Sequence, residues 1–217
     1  MDSLRAVIFA NGELRQPGEA RRLLRPDDLL IAADGGAAHC RSLGLRPNII
    51  VGDFDSLTAE ALADFERAGA RLERHPSAKD ETDLELALLL AVRAGAREIA
   101  VLGALGGRLD MTIANVLLLT HPALAAVRVW LWNDGERAWL IRPPGAEVAG
   151  RPGDTLSLIP LGGDATGITT HGLAYPLRGE TLAAGPARGV SNVLTEDPAR
   201  VELQSGLLLA TLTTGRA

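Results

Sequence analysis

The stretch Asn48-Ile49-Ile50-Val51-Gly52-Asp53-Phe54-Asp55-Ser56-Leu57 decides the reading of this chain. Three apolar, β-branched residues run into a glycine and two carboxylates, the pattern of a buried strand whose tip carries chemistry. Residues two apart in an extended segment point the same way, so Asp53 and Asp55 are expected to face one spot while Phe54 turns back to the core. Two carboxylates ~4 Å apart repel by about 4 kcal/mol at an effective dielectric of about 20. Such a pair needs a proton or a cation between its members. The competing reading is a polar turn in which Asp55 or Ser56 caps the next helix.

Neighbouring segments end in the same way. Residues 4–9 read as a buried first strand closed by Asn11-Gly12, and Leu29 to Ala33 read as a second, ending at Asp34-Gly35-Gly36 before a short helix. The two glycines suit either a plain tight turn or a close backbone approach to an anion at a helix start. A third segment, Ser77 to Glu85, crowds Asp80, Glu81, Asp83 and Glu85 around Lys79. Thr82 and Glu85 have capping-box spacing, so a helix is expected to start there and stop near Gly95, with Asp83 in its first turn. Glu98 to Gly103 reads as another buried strand, opening into Gly106-Gly107-Arg108-Leu109-Asp110 and a helix over 112–119. Gly-Gly-Arg beside a helix start is either a phosphate cradle or an ordinary turn.

Strands and helices alternate to about residue 133, which predicts a mostly parallel sheet with helices on both faces. Ligands bind such sheets off the carboxyl ends of the strands, where Asp34, Asp53, Asp55 and Arg108 fall. After Asn133-Asp134-Gly135 the helical period disappears. Short segments at 155–161, 172–177, 201–203 and 207–213, punctuated by Pro and Gly, predict a smaller all-β, sandwich-like domain. The expected division is 1–134 and 135–217.

Composition narrows the function classes. In 217 residues, 47% are apolar but only 3% aromatic, and the net charge is −5. A core is affordable, whereas a base-stacking or polyanion-binding surface is not expected. The single cysteine, Cys40, excludes an internal disulfide and fits a cytoplasmic protein. No apolar run approaches the roughly 20 residues of a membrane helix. Among 22 Lys+Arg residues, Lys79 is the only lysine. Carboxylates without histidine or cysteine company select a hard cation such as Mg²⁺. With one lysine and one arginine at a strand edge, that cation points to phosphate chemistry.

Five ordered motifs carry a resemblance over nearly the whole chain. Asp34-Gly35-Gly36-Ala37, Gly52-Asp53-Phe54-Asp55-Ser56, Lys79-Asp80-x-Thr82-Asp83, Gly107-Arg108-x-Asp110 and Gly189-x-Ser191-Asn192 resemble thiamine pyrophosphokinases. The resemblance implies Mg²⁺-dependent transfer of a pyrophosphoryl group from ATP to thiamine, giving thiamine pyrophosphate and AMP. It also implies a homodimer with active sites near the subunit interface, the first domain catalytic and the second binding thiamine and the partner. Asp53, Asp55 and Asp83 would hold Mg²⁺, and Lys79 and Arg108 would neutralise phosphate oxygens. Asp34, Gly35, Gly36, Asp80, Thr82, Gly107 and Asp110 would line the nucleotide and transfer region. Ser191 and Asn192, with Tyr175 as the aromatic edge, would meet thiamine. Met111 departs from the family, which often carries histidine after the aspartate of the Gly-Arg-x-Asp motif. Two alternatives remain at this point: a pyrophosphokinase for another hydroxymethyl acceptor of pterin type, and a non-catalytic nucleotide or thiamine binder.

Overall fold

Apolar runs bounded by glycines become strands because extended backbone buries alternate side chains on two faces at once. The computed structural model describes residues 3–215, which divide into one compact unit up to Asp134 and another from Gly135 onward.

In the first unit, β1 (Arg5–Phe9), β2 (Leu29–Ala33), β3 (Ile49–Gly52), β4 (Arg71–Arg74), β5 (Glu98–Leu102) and β6 (Arg128–Asn133) pair in the order β6-β5-β1-β2-β3-β4. Every pairing is parallel. The helices are α1 (Pro17–Arg22), α2 (Gly36–Ser42), α3 (Ala59–Arg67), α4 (Asp83–Arg93) and α5 (Leu109–Leu118). Val7, Phe9, Ala32 and Ile50 form one core with Ala20 of α1, Ala37 and Cys40 of α2, and Leu62 and Phe65 of α3. The residues between them (Ala6, Ile8, Ile31, Ile99, Val101) are fully buried too. Helix α4, which runs against β1, β2 and β3 and buries Leu84, Leu88 and Leu90, covers that side. Helices therefore lie on both faces, as alternation of strands and helices predicts.

The strand order reverses between β1 and β5. Connections that depart in opposite directions leave a crevice at the carboxyl ends of the strands. The loops after β1 and β5 are held together there: Gly12 N–H donates to the Gly103 carbonyl at 2.7 Å, and Glu13 N–H to that of Leu105 at 2.8 Å.

The second unit is a sandwich of two antiparallel sheets. Its strands are β7 (Glu136–Ile141), β8 (Gly145–Val148), β9 (Thr155–Pro160), β10 (Ala165–His171), β11 (Arg178–Leu182), β12 (Asn192–Val193), β13 (Ala199–Glu202) and β14 (Leu208–Thr213). One sheet runs β12-β9-β14-β7 and the other β11-β10-β13-β8. Leu156, Leu158, Ala210 and Leu212 of the first meet Ile168, Leu182, Val148 and Val201 of the second in one core. The expected strand over 172–177 is absent. Gly172 has φ +71°, and Thr170 N–H donates to the Leu177 carbonyl at 3.0 Å, making this segment the connection between β10 and β11.

Candidate active site

The site grows from the end of β3. Gly52 has φ +150°, and a Cβ there would lie 3.0 Å from Asp34 Cβ and 3.2 Å from Asp83 Cγ. Only glycine lets two acids approach that backbone so closely. Register does the rest: Ala33 of β2 pairs with Val51 of β3, and Asp34 N–H donates to the Val51 carbonyl at 2.8 Å. Asp83 arrives from the other direction, at the first turn of α4. Thr82 caps that helix, its hydroxyl oxygen accepting from Glu85 N–H at 3.2 Å, as the capping-box spacing predicts.

Asp34, Asp53 and Asp83 each place a carboxylate oxygen within 4.8 Å of the others. Asp34 is buried, and its Oδ1 accepts no hydrogen bond from any described residue. A buried acceptor without a partner costs about 1–3 kcal/mol unless something absent from the protein itself satisfies it. Lys79 Nζ lies 3.0 Å from Asp83 Oδ1 and donates to the Pro76 carbonyl at 3.2 Å. One ammonium among three acids leaves a net negative site. Burial pushes the Asp83 carboxyl up; Lys79 opposes that, and Asp34 and Asp53 reinforce it. Asp53 shifts the other way, because the Ser77 side chain and the Asp55 N–H hydrogen-bond to its ionised form. All-oxygen, negatively charged and carrying an unfilled acceptor, the cluster fits a hard divalent cation.

Asp55 is not among the three. The extended alternation that would aim it beside Asp53 stops at Gly52, and Phe54 takes φ +69°. That left-handed residue buries its ring as expected, yet turns the next side chain away. Asp55 is exposed; its N–H donates to Asp53 Oδ1 at 3.2 Å and its own Oδ1 accepts from Ser56 Oγ at 3.1 Å.

A cavity of about 370 Å³ opens beside the cluster, walled by Asn11, Asp34, Thr82, Asp83, Gly107 and Arg108 among others. Gly106 and Gly107 both have positive φ, at +84° and +72°, and expose backbone to it. Arg108 is exposed and grips Asp110 through two hydrogen bonds, Nε to Oδ1 at 3.1 Å and Nη2 to Oδ2 at 2.6 Å. That guanidinium holds the Asp110 carboxyl below its usual range. Met111, where the family often has histidine, lies on the same wall. Gly35 and Gly36 are buried behind the wall residues Asn11 and Asp34 and do not themselves line the cavity. A Cβ on Gly36 would meet the Phe9 carbonyl at 1.9 Å, so close packing of the strand-to-helix turn requires that glycine. Asp80 is exposed and lines no part of the cavity wall.

In the second unit, Tyr175, Ser191 and Asn192 come together around a separate cavity of about 490 Å³ with Leu158, Arg188 and Val190. The Asn192 side chain is committed to the backbone of Tyr175, accepting its N–H at 3.0 Å and donating to its carbonyl at 2.7 Å. Ser191 has φ +58°, and its N–H donates to Ser157 Oγ at 3.1 Å.

Two features escape a linear reading. Asp34 joins the carboxylate cluster, although its spacing from Asp53 carries no motif; the signal available was that successive strands each end in an acid. Arg74, at the end of β4, donates from Nη1 to the Asp53 carbonyl at 2.9 Å. No residue pattern distinguishes it from the other arginines.

Comparison with known proteins finds relatives of both units. The family profile "Thiamin pyrophosphokinase, catalytic domain" matches residues 20–131, and "Thiamin pyrophosphokinase, vitamin B1 binding domain" matches residues 144–208. A thiamine pyrophosphokinase of Bacillus subtilis is 28% identical over 183 residues, covering 83% of this chain and 85% of that protein. Thiamine pyrophosphokinase 1 of Oryza sativa subsp. japonica is 29% identical over 191 residues, covering 83% and 70%. The crystal structure of the Bacillus subtilis thiamine pyrophosphokinase matches with a TM-score of 0.86 at 25% identity, over 97% of this chain and 99% of that one. The catalytic-domain profile alone spans more than half of the sequence, and the chain belongs to the thiamine pyrophosphokinase family of enzymes.

Proposed function

We propose that the protein transfers the pyrophosphoryl group of ATP to the hydroxyl of thiamine, with Mg²⁺ held by Asp34, Asp53 and Asp83. The observation that carries this reading is the convergence of those acids beside a glycine-lined cavity, with an unpartnered oxygen on Asp34. Bound there, Mg²⁺ would gather the phosphate oxygens of ATP and stabilise charge developing on them. Lys79 supplies a compact positive charge at the same place, and the backbone at Gly106 and Gly107 leaves room for phosphates. Arg108 is solvent-facing, so exchanging Asp110 for a phosphate costs it little. The thiamine hydroxyl forms its bond to the β-phosphorus as the bond from that phosphorus to the oxygen shared with the α-phosphate breaks. AMP leaves with that oxygen, and the hydroxyl proton passes to an aspartate.

Asp55 serves through its backbone, whose N–H orients Asp53. The cavity around Tyr175 and Ser191 is the thiamine subsite of this reading, with Asn192 shaping it and the exposed tyrosine ring offering a face to the cationic thiazolium. A homodimer belongs to the same reading. Helix α5 presents Leu109, Ile113 and Leu117, 74%, 52% and 47% exposed, as a stripe at i, i+4 and i+8 beside Arg108. The lone cysteine, buried and unpaired, is consistent with a reducing cytoplasm.

The test incubates protein, thiamine, ATP and Mg²⁺ and identifies both products. Thiamine pyrophosphate with AMP is expected, whereas thiamine monophosphate with ADP overturns the reading. Asp83→Asn is expected to lower kcat by about 10³-fold or more, and Asp55→Asn by about tenfold or less, in line with the loss of a direct charge against that of a supporting contact.

A further inference from the structure

We propose that Arg74 is the positioning residue that sets Asp53 into the carboxylate cluster. The inference rests on the metal-site reading above and extends it to the strand beyond β3.

Three observations support it. Arg74 is the last residue of β4 and pairs in register with Gly52, directly opposite the point where the acidic turn begins. Its Nη1 donates to the carbonyl of Asp53 at 2.9 Å. Its guanidinium carbon lies 4.6 Å from the centre of the Phe54 ring, a cation–π distance. One side chain thus grips the turn on both sides of the Asp53–Phe54 peptide link.

That turn needs holding. Phe54 has φ +69°, a strained conformation for a bulky L-residue that persists only where surroundings over-determine it. If it relaxed into the extended region, the chain after Phe54 would swing and carry off the Asp55 N–H that donates to Asp53 Oδ1 at 3.2 Å, freeing the Asp53 carboxylate to leave Asp34 and Asp83. The buried ring fixes Phe54 from inside. Arg74 fixes it from outside, and only arginine does so with a planar fork that stacks and donates at once. Arg74 itself is exposed, so its removal opens no core cavity.

The experiment measures Mn²⁺ binding by calorimetry in the absence of substrates, the Mg²⁺ dependence of turnover, and Tm, for the natural protein, Arg74→Ala and Arg74→Lys. Arg74→Ala is expected to weaken Mn²⁺ binding and raise the Mg²⁺ concentration for half-maximal rate by about tenfold, with kcat at saturating Mg²⁺ much less affected. Arg74→Lys, which keeps charge but loses the fork, is expected to fall between. Unchanged ion affinity in Arg74→Ala overturns the role, as does a fall in Tm with a uniform loss of rate at every Mg²⁺ concentration. A natural protein that binds no Mn²⁺, and whose Asp83→Asn variant binds none either, overturns the metal reading first and Arg74's role with it.

Discussion

At the scale of single residues, environment rather than residue type decides what each ionisable group does. Asp53 and Asp83 belong to one cluster and shift in opposite directions, because one is hydrogen-bonded in its charged form and the other is desolvated. Cys40 shows the same rule away from the site. Burial in the core of α2 pushes its thiol from 9.0 up to about 12. The folded state therefore holds the proton more tightly than the unfolded chain. Stability from this source is complete below pH 9 and is lost as pH rises from there toward 12, at up to about 1.4 kcal/mol per pH unit. The urea midpoint is expected to fall more steeply between pH 8.5 and 10.5, a range of about two units, in the natural protein than in Cys40→Ala. Parallel slopes would remove Cys40 from the account.

At the scale of elements, two helices begin with the same device and serve different ends. Thr58 caps α3 by accepting from Ala61 N–H at 3.2 Å, and Thr82 caps α4 by accepting from Glu85 N–H at 3.2 Å. Losing either cap is expected to cost about 1 kcal/mol, a fall of roughly 2–4 °C in Tm for a chain of this size. Only Thr82 borders the cavity and adjoins an acid of the cluster. Calorimetry should find Thr58→Ala and Thr82→Ala similarly destabilised, while rate assays find only Thr82→Ala impaired. The Thr82 cap was legible in the sequence because a capping box is local chemistry, whereas α3 is capped by Thr58 and not by the Asp55 or Ser56 that the turn offered. Also legible were β1, β2, β3 and β5, since burial on both faces leaves nearly unbroken apolar runs. In the second unit the segments at 155–161, 201–203 and 207–213 fall on β9, β13 and β14, whereas other strands left no mark. Segments such as β8, β11 and β12 are short and half-exposed, and Gly172 to Leu177 alternates like a strand although Thr170 N–H and the Leu177 carbonyl close it into a turn at 3.0 Å. The path of the turn at Phe54 was equally hidden, because a left-handed phenylalanine has no compositional mark.

At the scale of the molecule, what the sequence conveyed best was the gathering of functional groups along one sheet edge. What it withheld was which strand ends become neighbours, since parallel order depends on long-range pairing. Asp34 shows this: it enters the cluster through the pairing of β2 with β3 and not through any spacing. The apolar stripe of α5 belongs to the same scale, for an exposed row of Leu109, Ile113 and Leu117 asks for a partner surface. Sedimentation is expected to show a dimer for the natural protein and a shift toward monomer for Ile113→Glu. A natural protein that sediments as a monomer at high concentration would sink the dimer.

The three acids of the cluster reach it from the tails of two neighbouring strands and the head of a helix laid across them. No local hairpin or lone helix assembles even two of them. On the proposed reading, competence to hold an ion therefore requires that the central strands have found their order. An ion that recognised only the finished arrangement would draw the population toward it, so the proposed ligand would also act as an inspector of the fold.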